Sequence, residues 1–554
     1  MTYPILIQAV LLPIILSPLG YLLGKRFGSR AVWFAFAVLL YSTLLLLYAF
    51  GTGQSSESYS WFPVAIAGSS LIGSIGQFGL FLDGISAPFA LTIYIICTSV
   101  ALYSVPYMKH RIFEQEGIVT ESEPREVVGV SISGDKSSQT TENAEKTKEK
   151  DLENSRTNSR FGLYILLYML YSAGMLGTVL ATNLIELYFF FEFMLIPSYF
   201  LIAEFGYGAR GRISFMYLLW THIGALLMLL SFLAIGSQSG SFVFINNGLP
   251  VSIQIAASVL PWIVFGIVVG LFVKLAAFGL HVWLPFAHAE APTPISALLS
   301  PAMIGIGGYI IIRIFTILLP AAYQQISVGI AAWGVITMFY GGIMALAQDD
   351  IKRLFAYSSV SQMGYIIFGI ATATELGVGG ATFQFVSHGT AKAILFMVAG
   401  LIIVQGGGLR SIKKMGGLGS KLPVTTVCAV IAFLALLGFP ETNGFQSEWM
   451  IFGGGFQLAT SGAANANYWL FLSILAVIST IVTASYALWT IWRVFFGKLP
   501  DELSNIREGS PYMLAPMIFL AFLTILLGVA PQIIDGPLFH TLGAYGNALT
   551  HMLP

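Results

Sequence analysis

Charge is what this sequence has least of. Only 9% of its 554 residues are Asp, Glu, Lys or Arg, against about 25% in soluble domains. A soluble chain of this length would split into several domains with charged surfaces, and this one has too little charge to cover even one. The 26 Lys and Arg balance the 26 Asp and Glu, so no net field points to nucleic acid as a partner. Cysteine is almost absent. The two present, Cys97 and Cys428, both sit in apolar runs. They are too few for an iron–sulfur cluster, which takes four thiolates, and they read as small buried hydrophobes. Neither a Gly-rich dinucleotide fingerprint nor a Walker A motif occurs. The start, Met1-Thr2-Tyr3-Pro4, lacks the basic stretch of a secretory signal, so the first apolar run is read as a retained span.

What remains is apolar: 56% of the chain. A membrane-spanning helix needs about 20 apolar residues. About fourteen such segments can be marked, at roughly 5–23, 31–51, 85–106, 161–181, 184–203, 213–235, 258–280, 295–319, 325–347, 354–373, 380–404, 424–454, 467–494 and 511–531. Barrel strands would alternate with period two. These runs are continuously apolar, which predicts an all-α polytopic membrane protein. The loops can be tested by the positive-inside rule. Every second loop, beginning with the one between spans 1 and 2, together holds 23 of the 26 Lys and Arg. The opposite loops and both termini hold none, and Lys274, Arg313 and Lys392 fall inside spans. This places both termini outside, in a multi-pass protein expected in a prokaryotic cytoplasmic membrane. The stretch 109–160 carries 20 of the 52 formal charges. Its mixed signs and low apolar content predict a largely disordered cytoplasmic insertion, or a docking segment for a soluble partner.

A charge at mid-bilayer costs about 2.5–3.5 kcal/mol even on the lenient insertion scale. Residues that persist there invite a functional reading: Glu192, Lys274, Arg313, His388, Lys392 and Glu448. His222, alone on span 6, reads first as a packing histidine. Glu192 lies among Phe189-Phe190-Phe191 and Phe193, and Lys274 lies within Leu271-Phe272-Val273-Lys274-Leu275. A Glu192–Lys274 pair between neighbouring helices would be two coupled titrating groups, usable as a proton switch. The same pair could serve as a static strut, and residue types alone leave both open. Gln384, His388 and Lys392 are spaced four apart and stack on one face of span 11. Such a stripe suits a water-lined path or ordinary interhelical hydrogen bonding. Neither pattern offers metal ligands at diagnostic spacing.

Two spans carry breaks. Span 12 contains Gly438-Phe439-Pro440-Glu441-Thr442-Asn443-Gly444, where Pro440 removes a backbone donor. In span 7, Gly279 and Pro285 follow Lys274. Freed backbone groups in a membrane must find protein or water partners. Paired interruptions in two halves are also the mark of inverted-repeat transporters.

At this point four stretches resemble the signature of the antiporter-like subunits of respiratory complex I. They are Lys274 to Pro294, with Phe278-Gly279-Leu280-His281-Val282-Trp283-Leu284-Pro285 and Ala287-His288-Ala289-Glu290-Ala291-Pro292-Thr293-Pro294; Ala347 to Tyr365, with Asp349-Asp350-Ile351-Lys352-Arg353; Ser387-His388-Gly389-Thr390-Ala391-Lys392-Ala393; and Asn443-Gly444-Phe445-Gln446-Ser447-Glu448. The resemblance covers roughly residues 80–105 and 161–460. It implies fourteen core helices, with spans 4–8 and 9–13 as inverted repeats. The chain then divides into 1–108 (spans 1–3), the insertion 109–160, a first repeat at 161–320, a second at 321–495, and 496–554 with the last span and an outer tail.

The same resemblance implies a proton-translocating subunit of an NADH:quinone oxidoreductase-type complex, with no redox chemistry in this chain. Quinone, flavin and iron–sulfur clusters would belong to partner subunits. Partners would be other membrane subunits of such an assembly, including neighbouring antiporter-like ones. Glu192, Lys274, His281, His388, Lys392 and Glu448 would carry protons, with Pro440, Arg313, His222 and Gln384 in support. Glutamate at 448, where the L- and N-type relatives have lysine, points to the M type. The sequence departs from the family at span 8. There Ser300-Pro301-Ala302-Met303-Ile304-Gly305 offers no titratable group, and Gly305 takes the approximate place of the usual lysine. A central relay would need water, His281 or His388 to bridge that gap. The alternatives are a subunit of a multisubunit sodium/proton antiporter or of a membrane-bound hydrogenase, which share fold and motifs. A stand-alone solute carrier has no pocket motif to support it.

Overall fold

The structure is a computed structural model. It describes residues 4–53, 55–60, 76–117, 136–246, 248–251, 253–462 and 464–546, with the backbone alone over 136–154. Apolar runs become helices because each must close its backbone hydrogen bonds internally when the surroundings are lipid. Spans 1–6 are α1 (Ile5–Phe27), α2 (Val32–Gly51), α3 (Ser86–Glu116), α4 (Lys136–Leu180), α5 (Leu184–Phe205) and α6 (Arg210–Ser239). Span 7 is two helices, α7 (Leu260–Lys274) and α8 (Trp283–Glu290). Span 8 runs from α9 (Thr293–Leu298) to α10 (Ile306–Ile311), with π-helical turns at Leu299–Met303 and Ile312–Leu318. Spans 9–11 are α11 (Pro320–Leu346), α12 (Ile351–Ala371) and α13 (Glu375–Gln405). Span 12 is again broken, into α14 (Pro423–Leu436) and α15 (Asn443–Ala459). Then come α16 (Ala466–Phe495), α17 (Pro511–Val529) and a short α18 (Gln532–Ala544).

Eleven apolar helical stretches among the described residues are long enough to cross a bilayer, one of them being α1 and α2 together. The two broken spans complete the expected fourteen. Two small antiparallel hairpins, β1 (Ser55–Tyr59) with β2 (Phe78–Leu82) and β3 (Ile245–Asn246) with β4 (Leu249–Pro250), lie in loops.

Loop-to-loop hydrogen bonds sort the loops into two ends. At one, Leu6 N–H donates to Glu57 (2.8 Å), Asn183 Nδ2 to Gln77 O (3.0 Å), Gly84 N–H to Thr541 Oγ1 (3.1 Å) and Tyr545 OH to Gly248 O (3.2 Å). At the other, Arg111 Nε donates to Phe205 O (3.1 Å), Tyr207 N–H to Glu290 O (2.7 Å), Ile351 N–H to Arg410 O (3.0 Å) and Val424 N–H to Glu508 (2.7 Å). The second end carries the basic loops, and the first carries the described terminal segments. Successive spans therefore alternate in direction.

Local signals explain the helix starts. Asn183 accepts the Glu186 N–H (2.8 Å) at the head of α5, and Asp350 accepts the Lys352 and Arg353 N–H groups at the head of α12, both as N-caps. Glycine sets how closely two helices approach. A Cβ on Gly24 would lie 2.4 Å from Gly162 Cα, so α1 and α4 touch backbone to backbone there.

One expectation is corrected. Much of the insertion is helical where disorder was expected. The α3 helix runs on to Glu116, and α4 begins at Lys136, well before its apolar part. Residues 118–135 lie outside the described residues. Glu, Lys, Ala and Gln are good helix formers, and extending a helix already nucleated by a span costs little. Composition alone misses that effect.

Candidate functional site

The first cluster sits where α5, α6 and α7 meet. Glu192 on α5 bonds not to Lys274 but to His222 on α6, Oε2 to Nδ1 at 2.8 Å. The packing reading of His222 is thereby corrected: it is the partner of a carboxylate. The expected Glu192–Lys274 ion pair is not formed. Lys274 is the last residue of α7, and its buried Nζ has no hydrogen-bond partner among the described residues. It lies 4.8 Å from the centre of the Phe191 ring, a cation–π placement, and remains within electrostatic reach of Glu192. In the sequence His222 has only a supporting place, because a lone histidine on an apolar helix gives no pattern.

The break after Lys274 is built rather than frayed. Ala276 (φ 53°) and Gly279 (φ 84°) turn the chain with left-handed backbone. Three tryptophans take up carbonyls around it. Trp283 Nε1 donates to Val273 O (2.8 Å), Trp333 Nε1 to Phe278 O (2.9 Å) and Trp220 Nε1 to Leu280 O (2.9 Å). Thr337 Oγ1 accepts the Phe278 N–H (3.1 Å). Groups freed by a broken helix thus find protein partners. His281, inside the break, meets Tyr340 OH at 3.2 Å through Nε2.

The second cluster joins α8, α12 and α13. Lys392 Nζ donates to Phe355 O (3.0 Å) and to the Ser358 hydroxyl. One turn away, both ring nitrogens of buried His388 lack partners among the described residues. A further turn on, Gln384 is bonded to Gln362 on α12 and to Ser447 on α15. The expected polar stripe is therefore present and interhelical. Sequence reasoning missed two neighbours. His288 on α8 is buried, stacks on Phe396 at 4.9 Å, and among the described residues has no hydrogen-bond partner on either ring nitrogen. Lys392 and Lys352 are the cations whose charges reach it. Lys352, assigned to a basic loop by its sequence neighbours, is instead buried, its Nζ donating to the Ala289 and Ala291 carbonyls.

At the second break, Gln362 Nε2 donates to Leu436 O (3.2 Å) at the end of α14. Gly438 (φ 67°) and Glu441 (φ 69°) turn the chain around Pro440. Glu448 on α15 points back at this turn. A Cβ on Gly438 would sit 2.3 Å from its Oε2, and its Oε1 has no partner among the described residues. Arg313 stands apart from this line. Its Nη2 donates to Asp83 Oδ1 (2.6 Å), both side chains are fully buried, and Tyr545 OH donates to Asp83 Oδ2 (3.2 Å). Arg313 ties span 8 to the loop before α3. Asp83 was overlooked because it lies just outside the apolar run.

The chain thus carries two clusters of ionisable groups, the first partly exposed at Glu192 and His222 and the second buried, together with two broken spans. Residues 181–483 match the family described as NADH:quinone oxidoreductase/Mrp antiporter, TM. The chain belongs to this family. Residues 74–115 match the N-terminus of chain 5 of NADH-ubiquinone oxidoreductase (complex I). F(420)H(2) dehydrogenase subunit M from Methanosarcina mazei is 33% identical over 383 residues, 68% of this chain and 74% of that protein. NADH-quinone oxidoreductase subunit M from Rickettsia bellii is 32% identical over 67% of this chain and 72% of its own. NAD(P)H-quinone oxidoreductase chain 4-3 from a Nostoc species is 29% identical over 92% and 81%. Among solved structures, a chain of respiratory complex I from Thermus thermophilus shares the fold at TM-score 0.77, with 24% identity over 98% of this chain and 99% of that one. A chain of the Mrp complex from a Dietzia species does so at TM-score 0.75, with 19% identity and full coverage of both. This member of the NADH:quinone oxidoreductase/Mrp antiporter family is a multi-pass membrane protein.

Proposed function

We propose that the chain is the proton-translocating, M-type antiporter-like subunit of a complex I-like NADH:quinone oxidoreductase, working beside other membrane subunits in a cell membrane with both termini outside. Quinone, flavin and iron–sulfur clusters would reside in those partners. Spans 4–8 and 9–13, residues 161–320 and 321–495, act as the two repeats, each broken in its fourth span. Protons enter the first half from the basic, cytoplasmic end. They meet Glu192, His222 and Lys274, pass His281, His288, His388 and Lys392, and leave through Gln384 and Glu448 beside Pro440.

One observation carries this reading. Among the described residues, the buried side-chain atoms without a protein partner include Glu192 Oε1, Lys274 Nζ, both nitrogens of His288 and His388, and Glu448 Oε1, which gather on α5, at the two breaks, on α8 and along α13, beside others elsewhere such as Tyr171 and Glu186. Buried polar groups need hydrogen-bond partners, and ordered water is the remaining source. Moving one charge against the membrane potential costs about 2.3 kcal/mol per 100 mV. A one-unit pKa change is worth about 1.4 kcal/mol, so several linked sites can share that load. Glu192 bound to His222 gives the first half two states: carboxylate with His222, or carboxylate with Lys274. The test is Lys274→Ala in the whole complex reconstituted in vesicles. Quinone reduction should continue while proton uptake fails. Intact pumping would end this assignment.

A second reading has a specific support, the shared fold with the Mrp chain. In that case the chain would serve a sodium/proton antiporter or a membrane-bound hydrogenase. The flavin, quinone and iron–sulfur content of the purified native complex separates the readings.

A further inference from the structure

Span 8 is where the two halves meet, and between Thr293 and Ile312 it holds no Asp, Glu, His, Lys or Arg. At Gly305 any side chain would have to displace a neighbouring ring. A Cβ there would lie 2.3 Å from Phe385 Cδ2. The Phe385 ring is packed on Phe89 at 4.4 Å, and Phe89 on Tyr309 at 5.1 Å. An aromatic plug therefore fills the middle of the molecule at this level, and a route through it would be dry.

One turn away the picture differs. The π-helical turn Leu299–Met303, which contains Pro301, brings Ser300 against α12. Ser300 Oγ and Ser359 Oγ are 2.6 Å apart, both fully buried, and either can donate. Ser359 also donates to Phe355 O at 2.9 Å. That same carbonyl accepts from Lys392 Nζ at 3.0 Å. Ser359 Oγ and Lys392 Nζ are thus at most two hydrogen-bond lengths apart, on one shared acceptor. On the side of the first half, Tyr217 shares a 2.7 Å hydrogen bond with Ser198 and approaches Met303 Sδ at 3.3 Å, three residues from Ser300.

We propose that the Ser300–Ser359 hydroxyl pair is the bridge that carries protons across span 8 to Lys392 in this chain. The inference rests on the proton-pumping reading above. The step balances as a hop. A proton arrives on a lone pair of Ser300 Oγ, and the original Ser300 proton passes to Ser359 Oγ. The Ser359 proton passes through one water to the neutral amine of Lys392, which becomes an ammonium. Both serines end as hydroxyls with their hydrogen-bond direction reversed, and rotation of the two O–H groups resets them. Serine suits this because a hydroxyl donates and accepts at once. A π turn suits it because such turns displace side chains from the regular helical register.

The test uses the whole complex in vesicles, driven by the electron donor it oxidises. Proton uptake is read with a pH-sensitive dye, alongside quinone reduction and a comparison of H2O with D2O. Ser300→Ala and Ser359→Ala should each lower protons taken up per quinone reduced by at least threefold, and the double variant no further, since both lie on one path. Ser300→Thr, which keeps the hydroxyl, should recover most of the loss. Unchanged proton uptake in both alanine variants, with Lys274→Ala inactive, would overturn the bridge and leave the pumping reading standing. Intact pumping by Lys274→Ala would overturn both. If an alanine variant fails to assemble, as judged by lost quinone reduction, Ser300→Thr decides. Assembly without pumping there contradicts a role for the hydroxyl.

Discussion

Glu192 and His222 are joined by a 2.8 Å hydrogen bond, and Lys274 stands beside them with its Nζ unengaged. The carboxylate is thus already committed to one cation-forming partner while a second waits. This predicts that His222→Phe, which removes the competitor, lets Glu192 turn to Lys274. Proton uptake per quinone reduced should fall roughly tenfold, a difference of about 1.4 kcal/mol between the two arrangements. Assembly should be unaffected. A variant that pumps like the parent in vesicles would show the hydrogen bond to be idle.

Gly438 gives a geometric test of Glu448. At φ 67°, with Glu448 Oε2 2.3 Å from where a Cβ would stand, Gly438→Ala strains the turn and pushes the carboxylate aside. It should therefore reproduce the pumping loss of Glu448→Gln. The measurement is proton uptake at matched quinone-reduction rate, and full activity in Gly438→Ala would contradict it.

The Arg313–Asp83 pair is structural. Asp83→Asn leaves a fully buried guanidinium without its counter-charge, which typically costs about 3–5 kcal/mol. Adding Arg313→Met should recover much of that loss. Thermal unfolding in detergent distinguishes the two, the single variant melting well below the double.

At the basic end, Asp349 lies between α11 and α12 and grips the loop after α13. It accepts from Ser411 Oγ (2.6 Å) and the Lys413 N–H (3.0 Å). Desolvation pushes its pKa up, but these two hydrogen bonds, with the charges of Lys413 and Arg493, outweigh it and hold the carboxyl below its ordinary value. A carboxyl depressed on folding stabilises above its unfolded pKa and loses that contribution as pH falls through the folded one. Exchange of the Lys413 amide should accelerate only in acid, below the usual carboxylate range, and Asp349→Asn should remove that acid dependence.

Much of this was legible in the residues. Apolar runs and the sorting of Lys and Arg located fourteen spans, because lipid leaves a backbone few choices. Pro440 with its flanking glycines, and Gly279 after Lys274, marked both breaks. Partner choice was less visible. Glu192 took His222 over Lys274, because geometry across three helices decides it and no spacing encodes it. Lys352 looked like a loop residue beside Arg353, yet its amine is buried on the Ala289 and Ala291 carbonyls. Phe385 filling the place above Gly305 needed a packed neighbour from another span. Helix beyond the apolar part of α4 was missed because propagation from a span outweighs local polarity.

The three indole donors at the first break limit how the chain can respond to redox work. Annealing α7 and α8 into one unbroken rod would strip Trp283, Trp333 and Trp220 of their acceptors together, at about 1–3 kcal/mol for the buried Trp283 N–H and less for the other two, which water can reach. The interruption is therefore a rigid elbow. Whatever alternates here during turnover must do so by side-chain rotation and reorienting solvent, over a main chain that stays put.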